Sequence, residues 1–279
     1  VAAQRAAERR RQQRNRLLIV LGSIGTVIAI VVVIVVVNAT TKPSSTSTST
    51  PVTGVPLPAS VAGKITNVPG STLDAVGAGS VPSVTSKPVT TLTGSPPLTS
   101  GGKPEMLYIG AEFCPYCAAM RWSMAVALSR FGTLSPLHGI HSAPKPEVYP
   151  DTATLTFYKT SYSSKYLAFT PVENEKINHA PLQATTTEQQ KLWDKYNANS
   201  YPFIDIGNKY MVTVLYDPQV LAGKTWAQIA SALHDPSSPI ARGVLGAANY
   251  LTAAICKVTG NSPAGVCSSA AVTSVRGKF

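Results

Sequence analysis

The sequence predicts an α/β domain in which helices cover a sheet. Two observations lead to this prediction. Along residues 103–279, short apolar runs typical of strands alternate with longer runs of helical character. A Cys-x-x-Cys motif, Cys114-Pro115-Tyr116-Cys117, stands where the first predicted strand gives way to the first predicted helix. We therefore place the domain that carries function at residues 103–279.

The composition indicates that segments of different character are joined in one chain. The 279 residues are 44% hydrophobic and 13% charged, and their net charge is +11. The charge is uneven, because residues 1–16 alone hold six arginines and one glutamate. A nucleic-acid-binding protein would need its basic patch on a folded face. We therefore expect no nucleic-acid partner.

Residues 17–37, LLIVLGSIGTVIAIVVVIVVV, are an uncharged apolar run. A helix of this length spans roughly 30 Å, the thickness of a bilayer hydrocarbon core. The alternative is a cleaved signal peptide, whose apolar core would be about 7–15 residues long. This run is longer, and the Asn38-Ala39-Thr40 sequence after it is a weak cleavage site. We therefore predict a single transmembrane helix that is not removed.

The arginines before this run predict its orientation. Lys and Arg are enriched on the cytoplasmic side of a membrane helix, so residues 1–16 form a predicted cytoplasmic tail. Everything after the helix would then lie outside the cytoplasm, attached to the plasma membrane. Gly22, Gly25 and Ala29 share one helix face, and small residues allow a second helix to approach closely. Helix 17–37 is therefore the expected contact with any membrane protein complex.

Residues 38–102 are predicted to be an extracytoplasmic linker that is partly ordered. Within it, residues 40–58, TTKPSSTSTSTPVTGVPLP, are rich in Ser, Thr and Pro and hold too little apolar surface for a core. They predict an extended tether. Further along, residues 69–76 predict a turn with a short helix, and residues 89–92 predict an edge strand.

The elements of the main domain follow from apolar runs and turn signals. A Gly-Asn pair between two apolar runs is typical of a tight hairpin turn. We predict strands at 106–111 and 154–158, helices at 114–131, 187–197, 226–233 and 244–258, and a hairpin of strands 203–206 and 209–214.

The Cys-x-x-Cys motif predicts redox chemistry. At a helix N-terminus, the Cys114 thiol faces unpaired backbone N–H groups and the positive end of the helix dipole. Both stabilise a thiolate, so its pKa should lie below the usual value of about 8.5. The thiolate would attack a substrate disulfide, and Cys117, one turn later, would resolve the mixed disulfide.

Two other interpretations of this pair stay open. A zinc site would need a second Cys-x-x-Cys or a His pair, which the sequence lacks, and we predict no metal. A static or vestigial pair needs no further residue.

Two functions follow from these interpretations. The first is an extracytoplasmic thiol–disulfide oxidoreductase that acts on protein thiols or disulfides without a cofactor. The alternative is an accessory subunit of a larger membrane complex, for example a respiratory one, in which the Cys pair is static.

The other two cysteines, Cys256 and Cys267, stand on either side of a Gly-Asn-Ser-Pro-Ala-Gly loop near the C-terminus. An even cysteine count outside the cytoplasm favours disulfides. We predict a structural disulfide, which for a loop of this size contributes roughly 3 kcal/mol. A second redox pair that exchanges electrons with the Cys-x-x-Cys motif is the alternative.

Over roughly residues 103–260 the chain resembles the thioredoxin superfamily. The match consists of a strand, then Cys-Pro-Tyr-Cys at the start of a helix, and much later Pro202 directly before a hairpin strand. The Pro115-Tyr116 dipeptide is the one found in glutaredoxins. The chain is also similar to a family of membrane-anchored thioredoxin-like proteins known only as a domain of unknown function. The resemblance implies a thioredoxin-like central sheet flanked by helices.

The resemblance also implies roles for residues beyond the two cysteines. In the family the corresponding proline is cis, lies beside the redox cysteines and helps to shape the substrate groove. The backbone of the residue before it pairs with an extended peptide. Carried over, Pro202 would be cis and Tyr201 would line the groove, with Pro115 and Tyr116 at its border.

Two positions depart from the thioredoxin pattern. Phe113 replaces the tryptophan before the first cysteine, and Tyr108 replaces a buried aspartate six residues before it. Glu112 is near enough in sequence to be a substitute for the missing acid.

Overall fold

The computed structural model of the protein describes residues 54–278, which form a mixed α/β fold. Two short 3₁₀ turns accompany the elements named here. The strands are β1 (Val55–Pro56), β2 (Thr90–Thr91), β3 (Thr99–Ser100), β4 (Lys103–Gly110), β5 (Gly132–Ser135), β6 (His138–His141), β7 (Ala153–Thr156), β8 (Ser161–Ser164), β9 (Ala168–Glu173), β10 (Phe203–Ile206) and β11 (Tyr210–Val212). The helices are α1 (Ala59–Thr66), α2 (Gly70–Val76), α3 (Pro115–Ser129), α4 (Thr187–Asn197), α5 (Trp226–Ala232), α6 (Pro239–Val258), α7 (Ala264–Cys267) and α8 (Ala270–Arg276).

The described strands are divided among three sheets. The largest has six strands, in the path β2-β11-β10-β4-β3, with β9 also paired to β4. The β4–β9 pair is parallel, and the other pairs of this sheet are antiparallel. Strands β1, β6 and β7 form a second, antiparallel sheet, and β5 and β8 form a two-stranded third.

Strand β4 sets the position of the Cys-x-x-Cys motif, because the motif follows its carboxyl end. Ile109 lies opposite Phe203, the first residue of β10. Gly110 lies opposite Glu173, the last residue of β9. The residues just after β4, just before β10 and at the end of β9 therefore meet at one edge of the large sheet.

Helix α3 is buried along almost its whole length, with Tyr116 and Ser129 the exceptions. Apolar residues occur on all sides of the helix, as expected for a helix enclosed by other elements. Hydrogen bonds fix it further. The Trp122 indole N–H donates to the Ala153 carbonyl at 3.0 Å, and the Ser123 hydroxyl donates to the Val244 carbonyl of α6 at 2.8 Å. The motif therefore stands on a rigid support.

The two helices before the large sheet belong to the same folded unit. Val61 and Ile65 of α1 and Leu73 of α2 lie in the main hydrophobic core. The Asn249 side-chain amide of α6 donates to the carbonyls of Leu73 and Gly77 at 3.0 and 2.8 Å. These contacts join residues 59–77 to α6.

The predicted architecture of one thioredoxin-like central sheet flanked by helices is wrong. The strands of residues 54–278 form three sheets instead of one. Within these residues, every helix is either too short or too polar to cross a membrane. The sequence signals for strands and helices are local, whereas the sheet that a strand joins depends on distant partners. The predicted tail at 1–16, the span at 17–37 and most of the tether lie outside the described residues.

Candidate functional site

Cys114 is the N-cap residue of α3, and its sulfur takes part in the cap. The backbone N–H of Cys117 donates to Cys114 Sγ at 3.3 Å. Pro115 occupies the first turn, where its fixed φ suits the helix and its missing N–H costs nothing. Both cysteines are free thiols. The cap therefore places a backbone donor against the sulfur that the sequence predicts as the nucleophile.

The two thiols differ in burial and acidity. Cys114 is 5% exposed, whereas Cys117 is fully buried. The Cys117 thiol donates a hydrogen bond that lowers the pKa of Cys114, and the Cys117 N–H and the charge of Arg121 act in the same direction against the effect of burial. The pKa of Cys117 is raised well above its usual value, mainly by burial and secondly by the interaction with Cys114. A thiolate therefore forms first on Cys114, with Cys117 as the protonated partner.

The residues at the start of β10 lie against this pair. The Tyr201–Pro202 peptide bond is cis, and Pro202 is buried. The Tyr201 side chain packs in one cluster with Ala111, Phe113 and the two cysteines. The Tyr201 ring also lies 5.0 Å from the Trp193 ring. The structure thus brings together the motif and the residues predicted to form a groove.

Two loop segments border the motif. The β6–β7 segment (residues 142–152) carries Tyr149, whose ring meets that of Tyr116 edge-on at 5.8 Å. The β9–α4 segment (residues 174–186) carries His179, whose ring lies 3.9 Å from that of Phe113. Pro115 is buried, whereas Tyr116 is 37% exposed. Tyr116 therefore presents an aromatic surface beside the nearly buried Cys114.

A buried ion pair lies behind the cysteines. The Arg121 Nε and Nη2 groups donate to the two carboxylate oxygens of Glu173 at 2.9 and 2.6 Å, and both side chains are fully buried. Arg121 Nη2 also donates to the Ala111 carbonyl at 2.7 Å. This carbonyl accepts the backbone N–H of Cys114 at 3.2 Å as well. The guanidinium and the backbone of Cys114 therefore share one acceptor.

Residues 92–257 match the family described as Domain of unknown function (DUF929). The chain belongs to the DUF929 family. Neither a curated protein nor a solved structure matches it. The expected similarity to a domain of unknown function is thereby confirmed. The DUF929 region contains the Cys-x-x-Cys motif, the cis proline and the buried ion pair, so the whole candidate site lies within it.

The buried ion pair of the DUF929 region was not predicted from the sequence. One signal was present: Cys114, Cys117 and Arg121 follow one another at spacings of three and four, which places them on one helix face. Arg121 is also the only charged residue of the otherwise apolar and polar α3. Its partner gave no signal, because Glu173 lies 52 positions further along the chain.

Two further polar residues of the DUF929 region lie near the motif. Tyr108, at the position of the missing aspartate, is fully buried, and its hydroxyl has no hydrogen-bond partner among the described residues. Burial raises its pKa well above the usual value. Glu112 is nearly buried and accepts a 2.8 Å hydrogen bond from the Thr156 hydroxyl, and burial raises its pKa. Tyr108 has no carboxyl group, and the hydrogen bond of the Glu112 carboxyl goes to Thr156 rather than to a cysteine.

Cys256 and Cys267 are joined by a disulfide that connects the end of α6 to α7. Both are buried in the main hydrophobic core. The motif cysteines belong to a different apolar cluster. Within residues 54–278, no three His, Cys, Asp or Glu side chains come together in an arrangement suited to a metal ion.

Proposed function

We propose that this DUF929 protein is a thiol–disulfide oxidoreductase in which Cys114 is the nucleophile and Cys117 the resolving thiol. The observation that carries the proposal is the capped sulfur: Cys114 Sγ accepts the Cys117 N–H at 3.3 Å. The likeness to thioredoxin-like proteins supports it only through the Cys-Pro-Tyr-Cys motif and the cis Pro202, not through the architecture.

In the reducing direction the exchange runs in two steps. The Cys114 thiolate attacks one sulfur of a substrate disulfide, whose S–S bond breaks as the mixed disulfide forms, and the departing thiolate takes up a proton. Cys117 then loses its proton and attacks Cys114 Sγ. The second substrate thiolate leaves, and the protein pair is left oxidised by two electrons. The reverse sequence oxidises a substrate dithiol, so no cofactor takes part.

Protein thiols are the proposed substrate class. Cys114 is only 5% exposed, so a substrate sulfur has to reach it past the residues that border the motif. Few large apolar side chains are exposed among the described residues. Three of the exposed ones belong to the motif or to the two segments that border it. These three are Tyr116 of the motif, Val148 of the β6–β7 segment and Ile177 of the β9–α4 segment. We propose that these side chains contact an unfolded or extended protein segment.

We further propose that the reaction takes place outside the cytoplasm. The buried Cys256–Cys267 disulfide supports this location, because structural disulfides persist in oxidising compartments and are rare in the cytosol. The substrates are then extracytoplasmic protein thiols or disulfides.

The test is turnover of a protein disulfide by the full chain, together with a redox titration of the Cys114–Cys117 pair. We expect Cys114→Ser to abolish turnover and Cys117→Ser to accumulate a mixed disulfide with the substrate. The couple should lie between about −120 and −270 mV, within the range of known catalysts. A reduction potential of the Cys114–Cys117 pair below about −300 mV, together with the absence of turnover, would contradict the proposal. The pair would then be static, and the accessory-subunit alternative would be favoured.

A further inference from the structure

We propose that Arg121 is a positioning residue, held under the Cys pair by Glu173, and that it stabilises the Cys114 thiolate and makes the couple more oxidising. The inference deepens the proposed function and rests on it. The geometry that carries it is the orientation of the buried ion pair relative to the two cysteines.

The guanidinium is the part of the ion pair that faces the motif. Its Nη2 group contacts the Ala111 carbonyl, which also accepts the Cys114 N–H. Arg121 lies one helical turn after Cys117 on the same face of α3. The cation is thus linked to the motif both through the helix and through the loop that precedes it.

The carboxylate is anchored on another side. Glu173 Oε1 accepts the Phe157 backbone N–H at 3.0 Å in addition to the Arg121 Nε group. Its negative charge is therefore shared between the guanidinium and a backbone donor. Arg121 Nη1, in contrast, is buried and has no hydrogen-bond partner among the described residues. The guanidinium is thus the charge of the pair that is bonded to the backbone beside the motif, and it acts to lower the pKa of both cysteines.

The stability of the fold gives little reason for this arrangement. Burying an ion pair removes two charges from water, and an apolar pair of similar volume is often as stable or more so. Placing a fixed cation near a thiolate is an effect that an apolar pair would not supply. Nearby cationic side chains are among the features that lower cysteine pKa values in proteins.

The redox consequence follows from the charges of the two forms. The reduced form carries a thiolate on Cys114, whereas the disulfide form carries no charge, so a cation beneath the pair stabilises the reduced form. When the protein disulfide oxidises a substrate dithiol, two electrons enter the protein pair and the substrate disulfide forms. Of the two substrate protons, one goes to Cys117 and the other to solvent. A second, more oxidising disulfide regenerates the protein disulfide by the same exchange.

The test compares four variants of the full chain. Arg121→Gln/Glu173→Gln removes both charges and keeps two side chains that can hydrogen-bond to each other. Glu173→Gln removes only the carboxylate, and Arg121→Lys keeps the cation. Arg130→Gln is the matched control, because Arg130 caps the other end of α3 and binds the Ser269 hydroxyl at 3.1 Å.

Two quantities are measured: the ultraviolet absorbance of the Cys114 thiolate against pH, and the equilibrium constant with glutathione. In the neutral double variant we expect the pKa of Cys114 to rise and the equilibrium constant for substrate oxidation to fall about tenfold, or about 30 mV. Glu173→Gln should lower the pKa of Cys114 or leave it unchanged, Arg121→Lys should restore most of the wild-type constant, and Arg130→Gln should change neither quantity.

A folded double variant with the wild-type pKa and equilibrium constant would overturn the proposal. If the double variant does not fold, Glu173→Gln decides, because a rise in the pKa of Cys114 in that variant contradicts an orientation with the cation facing the sulfurs. The proposed function fails separately. It fails when the wild-type chain shows no turnover, whereas the role of Arg121 fails when turnover is present and the charges have no effect.

Discussion

The Tyr201 hydroxyl donates a 2.6 Å hydrogen bond to the side-chain oxygen of Asn174. It also lies 3.1 Å from a carboxylate oxygen of Glu175. These bonds connect the residue before the cis proline to the β9–α4 segment. The Tyr201 hydroxyl is thus one of the groups that fix the β9–α4 segment beside the motif, and a conservative substitution can remove it.

Tyr201→Phe removes this connection and keeps the aromatic contacts of the ring. We expect turnover of a protein disulfide to fall several-fold, mainly through a higher KM, because the β9–α4 segment loses the anchor that connects it to the residue before the cis proline. Stability should fall by about 1 kcal/mol, the usual net value of one hydrogen bond. The control is Tyr196→Phe, which loses a 2.6 Å bond to Ser95 on another part of the surface. Equal KM values for the two variants would contradict the anchoring role.

Asp205 predicts a pH dependence of stability. Burial raises its pKa to about 7, against the opposing hydrogen bond from the Asn208 N–H. Because the folded-state pKa is above the unfolded one, the stabilising contribution is complete at about pH 4 and below and is lost as the pH rises through 7. The free energy of unfolding of Asp205→Asn, taken relative to that of the wild type, should therefore be higher at pH 8 than at pH 4 by about 2–4 kcal/mol. Urea unfolding at both pH values measures this. A difference between the two proteins that does not change with pH would contradict it.

A substitution at Gly79 tests whether the segment before the large sheet packs closely against α6. Its φ is +56°, and an added Cβ would lie 1.9 Å from the Arg242 carbonyl oxygen of α6. Gly79→Ala should therefore displace the backbone of α6 and cost at least about 3 kcal/mol. Gly101 has the same φ of +56° with open space around it, so Gly101→Ala should cost only about 1–2 kcal/mol. Thermal or urea unfolding compares the two. Equal losses would mean that the contact with α6 does not contribute.

The Cys256–Cys267 disulfide should act on stability alone. Cys256→Ser/Cys267→Ser is expected to lose roughly 3 kcal/mol, because the unfolded chain is no longer restrained by the crosslink. The equilibrium constant of the Cys114–Cys117 couple with glutathione should stay at the wild-type value, since the two pairs belong to different apolar clusters. A changed constant in a folded variant would instead favour a second redox pair.

The elements predicted best are those whose signals are local. Helix α4 is found at residues 187–197 as predicted, and a capping box of Thr186 and Gln189 fixes its start. The hairpin of β10 and β11 is also found, with Gly207-Asn208 between the strands. Helix α6 begins at Pro239, five residues before the predicted start, because Ser238 caps it and proline suits the first helical position.

The elements that could not be predicted depend on distant partners. Strand β9 contains Pro171, and a proline argues against a central strand. It is tolerated because β9 pairs only with β4, in parallel. No local pattern indicates that this strand returns to the sheet beside the Cys motif. The position of Glu173, and with it the partner of Arg121, therefore has no signal in the local sequence.

The burial of α3 has a consequence for how proteins of the DUF929 family can diverge. The fifteen residues of this helix carry Cys117 and the Arg121 guanidinium, and nearly all of them also fill the core. A change there alters folding and chemistry together. The β6–β7 and β9–α4 segments border the motif but contribute less to the interior. Under the proposed function, relatives can therefore exchange one substrate for another by altering these two loops, while the same thiol–disulfide exchange is inherited with the helix.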